Sequence, residues 1–179
     1  MLSANCSRRP NLSSSARADS LFLANLDSTQ VPPPLSNSPA TGVGLFTLNA
    51  AQTQLSFSVT YQNLIGTITG AHFHDNVFGV RGPLEHEADI TGVTPVSGTL
   101  TGVWSSTDPI TPLTPGLVGD MFAGKMYIDL HTTAFPMGEI RGQLQSVPEP
   151  ASLTLLGLGT LGLAGYCAWL RKRATTCAR

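Results

Sequence analysis

Apolar and polar residues alternate with a period of two from Leu21 onward, and the alternation organises the chain as far as residue 145. It predicts eight short strands, over 20–26, 42–49, 53–60, 67–74, 84–91, 97–104, 124–132 and 139–145. Turn formers separate them: Val31-Pro32-Pro33-Pro34, Pro39-Ala40-Thr41-Gly42, Gly79-Val80-Arg81-Gly82-Pro83 and a proline-rich loop over 108–119. No stretch before residue 151 carries a helical stripe. The expected fold is all-β, an antiparallel, Greek-key-like sandwich or barrel of about eight strands.

Two pairings follow from side-chain chemistry. Joining residues whose numbers sum to 103 sets Phe46 opposite Phe57 and Leu48 opposite Leu55, and turns Ser56, Ser58 and Thr60 outward. A sum of 270 sets Leu130 opposite Ile140, Asp129 opposite Arg141 and His131 opposite Glu139. Opposite charges facing across a pair favour that register by about 0.2–1 kcal/mol each.

The pattern changes at residue 151. Residues 151–170, ASLTLLGLGTLGLAGYCAWL, carry no charge. As a helix they would extend roughly 30 Å, the thickness of a bilayer's hydrocarbon core, which predicts one transmembrane helix. Arg171, Lys172 and Arg173 follow at once and would stay cytoplasmic, so the body would face the other side. Val147-Pro148-Glu149-Pro150 stands before the span as an extended linker. The expected organisation is a leader over 1–18, a β domain over 19–146 and a membrane-directed segment over 147–179. The leader has an Ala16-Arg17-Ala18 run like a cleavage site but no apolar stretch before it, as a truncated signal peptide would.

Charge follows the same partition. The 179 residues sum to a net charge of −1, but residues 19–146 hold ten acidic side chains against Arg81, Lys125 and Arg141, a net of −7. A nucleic-acid partner is excluded, because an acidic body repels a polyanion. Cys6, Cys167 and Cys177 all lie outside the body, which therefore has no internal disulfide and no thiolate chemistry.

Proline linker, Pro148-Glu149-Pro150, glycine-rich apolar span and basic tail together resemble a PEP-CTERM sorting signal over about the last 33 residues. The resemblance implies export across a bacterial inner membrane, processing by an exosortase-type protease and transient anchoring through residues 151–170. Delivery to the cell surface or extracellular matrix follows, with exopolysaccharide among the matrix components it could meet. In the body, Leu21-Phe22-Leu23-Ala24-Asn25-Leu26, Gly70-Ala71-His72-Phe73-His74, Tyr127-Ile128-Asp129-Leu130-His131-Thr132 and Gly138-Glu139-Ile140-Arg141-Gly142-Gln143-Leu144 resemble a CHRD domain, the module named after chordin. That family implies an extracytoplasmic β domain and no settled activity.

Candidate chemistry is confined to histidine. His72 and His74 stand two apart, so on a regular strand both rings project from one face, a spacing suited to Zn or Cu. His131 could add a third ligand, with Glu139 as an orienting carboxylate. The pair is similar to the His-x-His of copper/zinc superoxide dismutase, also an eight-stranded barrel. That resemblance implies a six-histidine dinuclear site, and this chain has four histidines. The alternative is a hydrogen-bonded network of these histidines with Asp75, Asp129 or Glu139. Glu85, Glu87 and Asp89 alternate along one strand as either a Ca²⁺ row or a solvated edge. The leading expectation is a non-enzymatic binding or structural module. A histidine-site metal protein and a carbohydrate-binding module, stacking sugars on Trp104, Tyr61 or Tyr127, are the competitors.

Overall fold

The computed structural model describes residues 18–33, 36–148, 159–163 and 166. The chain divides into two compact units, 1–146 and 147–179. The first contains nine strands: β1 (Ser20–Asp27), β2 (Thr41–Leu48), β3 (Gln54–Gln62), β4 (Ile68–Asp75), β5 (Leu84–Glu87), β6 (Gly98–Ser105), β7 (Met126–Thr132), β8 (Ile140–Gln143) and β9 (Gln145–Ser146). All pair antiparallel in a single sheet of order β5-β4-β7-β8-β1-β2-β3-β6, with β9 beside β1. The eight-strand path curls into a barrel that is nearly closed, with β5 and β6 as its two free edges.

Both registers read from the sequence are present, except that the β7–β8 ladder ends at Leu130 and Ile140 and does not pair His131 with Glu139. Phe46 faces Phe57 and Leu48 faces Leu55 between β2 and β3. Asp129 faces Arg141 and Leu130 faces Ile140 between β7 and β8. Their cause is the period of two: a one-residue slip would carry the buried Phe46 and Leu48 of β2, or Ile128 and Leu130 of β7, out of the core.

The sheet curls because one face is apolar along its whole length. Phe22, Phe46, Leu55, Val59, Ala71, Phe73, Leu100, Trp104, Ile128, Leu130 and Ile140 are buried together. Phe73 from β4 is the centre of that packing. Its ring lies 5.1 Å from Phe57, 5.9 Å from Phe46 and 5.5 Å from Trp104, which come from the opposite limb of the sheet. At the seam between the free edges, His86 of β5 stacks on Trp104 of β6 at 4.9 Å and 7°. Thr111 bolts that seam. Its carbonyl accepts from Trp104 Nε1 at 2.6 Å, and its hydroxyl lies 2.8 Å from His86 Nδ1. Gly142 is required where β8 crosses β1, since a Cβ there would come within 2.8 Å of Leu26 Cγ.

The proline-rich loop over 108–119 differs from expectation, because its second half is the start of a helix, α1 (Pro115–Phe122). Thr114 caps its amino end by accepting from Leu117 N, Pro115 occupies the first turn, and Val118 and Met121 are its buried residues. Two turns are too short to display a helical stripe; the Thr-Pro start was the available signal. In the second unit, residues 159–163 and 166 are helical. Among the described residues, no helix is long and apolar enough to cross a membrane. Most of the predicted 151–170 span lies outside the described residues, as do Glu149, Pro150, Arg171, Lys172, Arg173 and all of the leader over 1–18 except Ala18.

Phe73→Ala is expected to destabilise the protein by about 3–5 kcal/mol, the usual loss for emptying a buried aromatic site. Urea unfolding of the two proteins checks it, and a loss under 1 kcal/mol would show that the limbs of the sheet do not depend on this ring.

Candidate functional site

The outer face of β4, β7 and β8 is polar yet buried, which sets it apart from the rest of the barrel's exterior. Alternation delivers His72 and His74 from β4, Tyr127, Asp129 and His131 from β7, and Arg141 and Gln143 from β8 to that face. The β4–β7 register then sets His72 opposite Asp129, His74 opposite Tyr127 and Gly70 opposite His131. His-x-His on one strand thus meets Asp-x-His on the next. Gly70 leaves the room this needs, since a Cβ there would stand 2.9 Å from His72 Nε2.

One donor atom from each of His72, His74, Asp129 and His131 lies within 4.8 Å of all the others. His131 Nε2 is 3.0 Å from Asp129 Oδ1 and hydrogen-bonded to it. His74 Nε2 is 3.3 Å from the same oxygen but lacks hydrogen-bond alignment, and is left buried without a hydrogen bond. The far nitrogens are tied to backbone. His131 Nδ1 lies 2.8 Å from the Pro136 carbonyl, and His74 Nδ1 lies 3.0 Å from Pro83 O and 3.2 Å from Gly82 O. A carbonyl only accepts, so each Nδ1 carries its proton, and each Nε2 faces the shared centre.

Titration follows from this crowding. Burial opposes the charge on Asp129, but His131 and His74 outweigh it and bring the carboxyl to about 2. For His131, burial works against the proton while Asp129 holds it, and the net effect is upward. His72 is pushed down, first by burial and then by the positive charge of His131.

Glu139 does not join this centre. It is fully buried and accepts from Ser38 Oγ at 2.6 Å, Thr132 Oγ1 at 2.6 Å, Ile65 N at 2.7 Å and Gly66 N at 3.5 Å. The carboxylate bonded to His131 is that of Asp129, two residues earlier on the same strand. Sequence reasoning paired Asp129 with Arg141 and so passed over it as a ligand; the Asp-x-His spacing was the signal. Arg141 is equally buried, its guanidinium 3.3 Å above the Tyr127 ring. It donates to Val80 O at 2.8 Å, Val77 O at 3.3 Å and Gln143 Oε1 at 2.8 Å.

Other candidates separate. β5 ends at Glu87, and Asp89 beyond it accepts from Thr91 N at 2.8 Å, so Glu85, Glu87 and Asp89 do not form one strand row for Ca²⁺. Trp104, Tyr61 and Tyr127 are buried, and none offers a ring face to a sugar.

Two outcomes follow. In chelator-treated protein, acidification from pH 4 to 2 should remove about 2 kcal/mol through Asp129. A carboxyl depressed by folding stabilises above its unfolded value, and that stability goes as the proton enters. Asp129→Asn should flatten this part of the profile in denaturant melts at each pH. Glu139→Gln keeps the shape but strands donors, and should cost about 1–3 kcal/mol for each one left unpaired. Urea unfolding measures it, and an unchanged midpoint would refute the role of the carboxylate.

Comparison with known proteins agrees with the residue patterns. The family model described as CHRD domain matches residues 22–144, and that described as PEP-CTERM protein-sorting motif matches residues 146–172. No curated protein and no solved structure matches the chain. The first match covers every strand that builds the polar face and more than half of the sequence, and the chain belongs to the CHRD domain family.

Proposed function

We propose that the protein is an exported, non-enzymatic binding or structural module, processed by an exosortase-type protease and displayed at the cell surface or in the extracellular matrix. The observation that carries this is the sorting motif, which begins at residue 146, where the β domain's last strand ends. Sequence and fold support it together. The body is acidic and free of cysteine, and its long polar side chains Glu139, Arg141 and Gln143 are committed to holding loops. With a net charge of −7 over residues 19–146, contact with an anionic exopolysaccharide would run through bridging cations or uncharged sugar groups.

Cell fractionation with mass spectrometry of the mature protein tests the reading. In cells with the processing protease, peptides beyond Pro150 should be missing and the body should be found in the envelope or medium. In cells without it, the tail should persist and the body should stay with the membrane. An intact tail on released protein in both strains would overturn the proposal.

A further inference from the structure

We propose that His72, His74, Asp129 and His131 form a mononuclear, four-coordinate Zn²⁺ site that clamps β4 to β7. The inference stands apart from the export reading, and either can fail without the other.

Geometry carries it. Three imidazole nitrogens and one carboxylate oxygen converge within 4.8 Å, a donor set that suits zinc and does not suit the oxygen-seeking Ca²⁺ or Mg²⁺. With zinc bonds of 2.0–2.1 Å, the donors of a tetrahedral site stand about 3.4 Å apart. The separations from Asp129 Oδ1, 3.0 Å to His131 and 3.3 Å to His74, are already close to that spacing. Small rotations of His72, the most exposed of the four at 23%, would bring in the last donor.

The surroundings are arranged as zinc ligands require. Pro83 O and Pro136 O hold the Nδ1 protons of His74 and His131, which fixes the tautomers and leaves both Nε2 atoms free to bind. His74 Nε2 is buried and makes no hydrogen bond, although a buried nitrogen is costly to leave so. In the absence of an ion, only the proton shared by His131 and Asp129 separates converging lone pairs. A cation bonded to all four would satisfy each atom at once. Four protein ligands complete a tetrahedron and leave no open position, so the ion would brace the fold rather than activate water. It would connect the two strands and, through the two proline carbonyls, the loops over 76–83 and 133–138.

The test is a titration of the chelator-stripped full-length chain with ZnSO₄, read by competition with a chromophoric chelator, by thermal melting and by histidine ¹⁵N NMR. One Zn²⁺ per chain is expected, bound at Nε2 of His74 and His131 with Nδ1–H retained. The melting midpoint should rise by about 5–10 °C at a hundredfold excess over Kd. His72→Gln and Asp129→Asn should each weaken binding by about tenfold or more, whereas His86→Gln at the barrel seam should leave the stoichiometry at one. If Asp129→Asn fails to fold, the half-buried His72→Gln decides the matter alone. Absence of binding, affinity unchanged in His72→Gln, or attachment through thiols that alkylation abolishes would each overturn the proposal.

Discussion

Arg141 is fully buried on the outer face of a sheet, where a guanidinium finds no water and few natural partners. An ion in that position destabilises the fold unless polar groups are brought to it, because desolvation costs more than a single contact returns. The loop over 76–83 supplies the carbonyls of Val77 and Val80, β8 supplies Gln143, and the Tyr127 ring lies against the charge. Gln143 in turn reaches the carbonyls of Asn76, Gly124 and Lys125 at 2.7–2.9 Å. Two adjacent side chains on one strand thus organise two loops, and the barrel's outer face acquires a roof.

That roof makes the histidine centre possible. Tyr127 Oη accepts from Gly82 N at 2.9 Å, which places Gly82 and Pro83 against His74. With the loop in place, His74 and Asp129 lose solvent, and the carboxylate keeps the hydrogen bond from His131 with the His74 ring beside it. Glu139 performs the same service at the other end of β8. Its carboxylate gathers Ser38, Thr132 and the backbone at Ile65 and Gly66, drawing three separate segments against one strand end. The Gly-Glu-Ile-Arg-Gly-Gln-Leu run over 138–144 therefore contains a strand, β8, and alternates between core residues on the inner face and hydrogen-bonding side chains on the outer face.

Much of this was legible before any coordinates. The eight strands follow from alternation, and the two registers follow from matching Phe46 with Phe57 and Asp129 with Arg141. The His72 and His74 pair was visible because i and i+2 share a strand face. Three things were not. Helix α1 has two turns, too few for periodicity to show against a proline-rich background. Glu139 is set opposite His131 by extending the charge-matched register, yet hydrogen bonding is decided by which donors lie near, and Ser38, Ile65 and Gly66 from distant segments, with Thr132 of β7, claim the carboxylate. Asp129 is legible as a hydrogen-bonding partner of the histidines but not as a fourth donor beside them, because charge matching sets it against Arg141, which turns to carbonyls instead.

The sequence by itself determined what is periodic and what is local: strand positions, faces, register, the segregation of charge into an acidic body with basic ends, and the sorting motif. These are properties of neighbours along the chain or directly across one hairpin. Tertiary structure alone decided which polar side chains meet. Fifty residues lie between β4 and β7, and only the folded sheet makes them hydrogen-bonded neighbours. Once that pairing sets the β4–β7 register, two ordinary motifs, His-x-His and Asp-x-His, become four donors around one point.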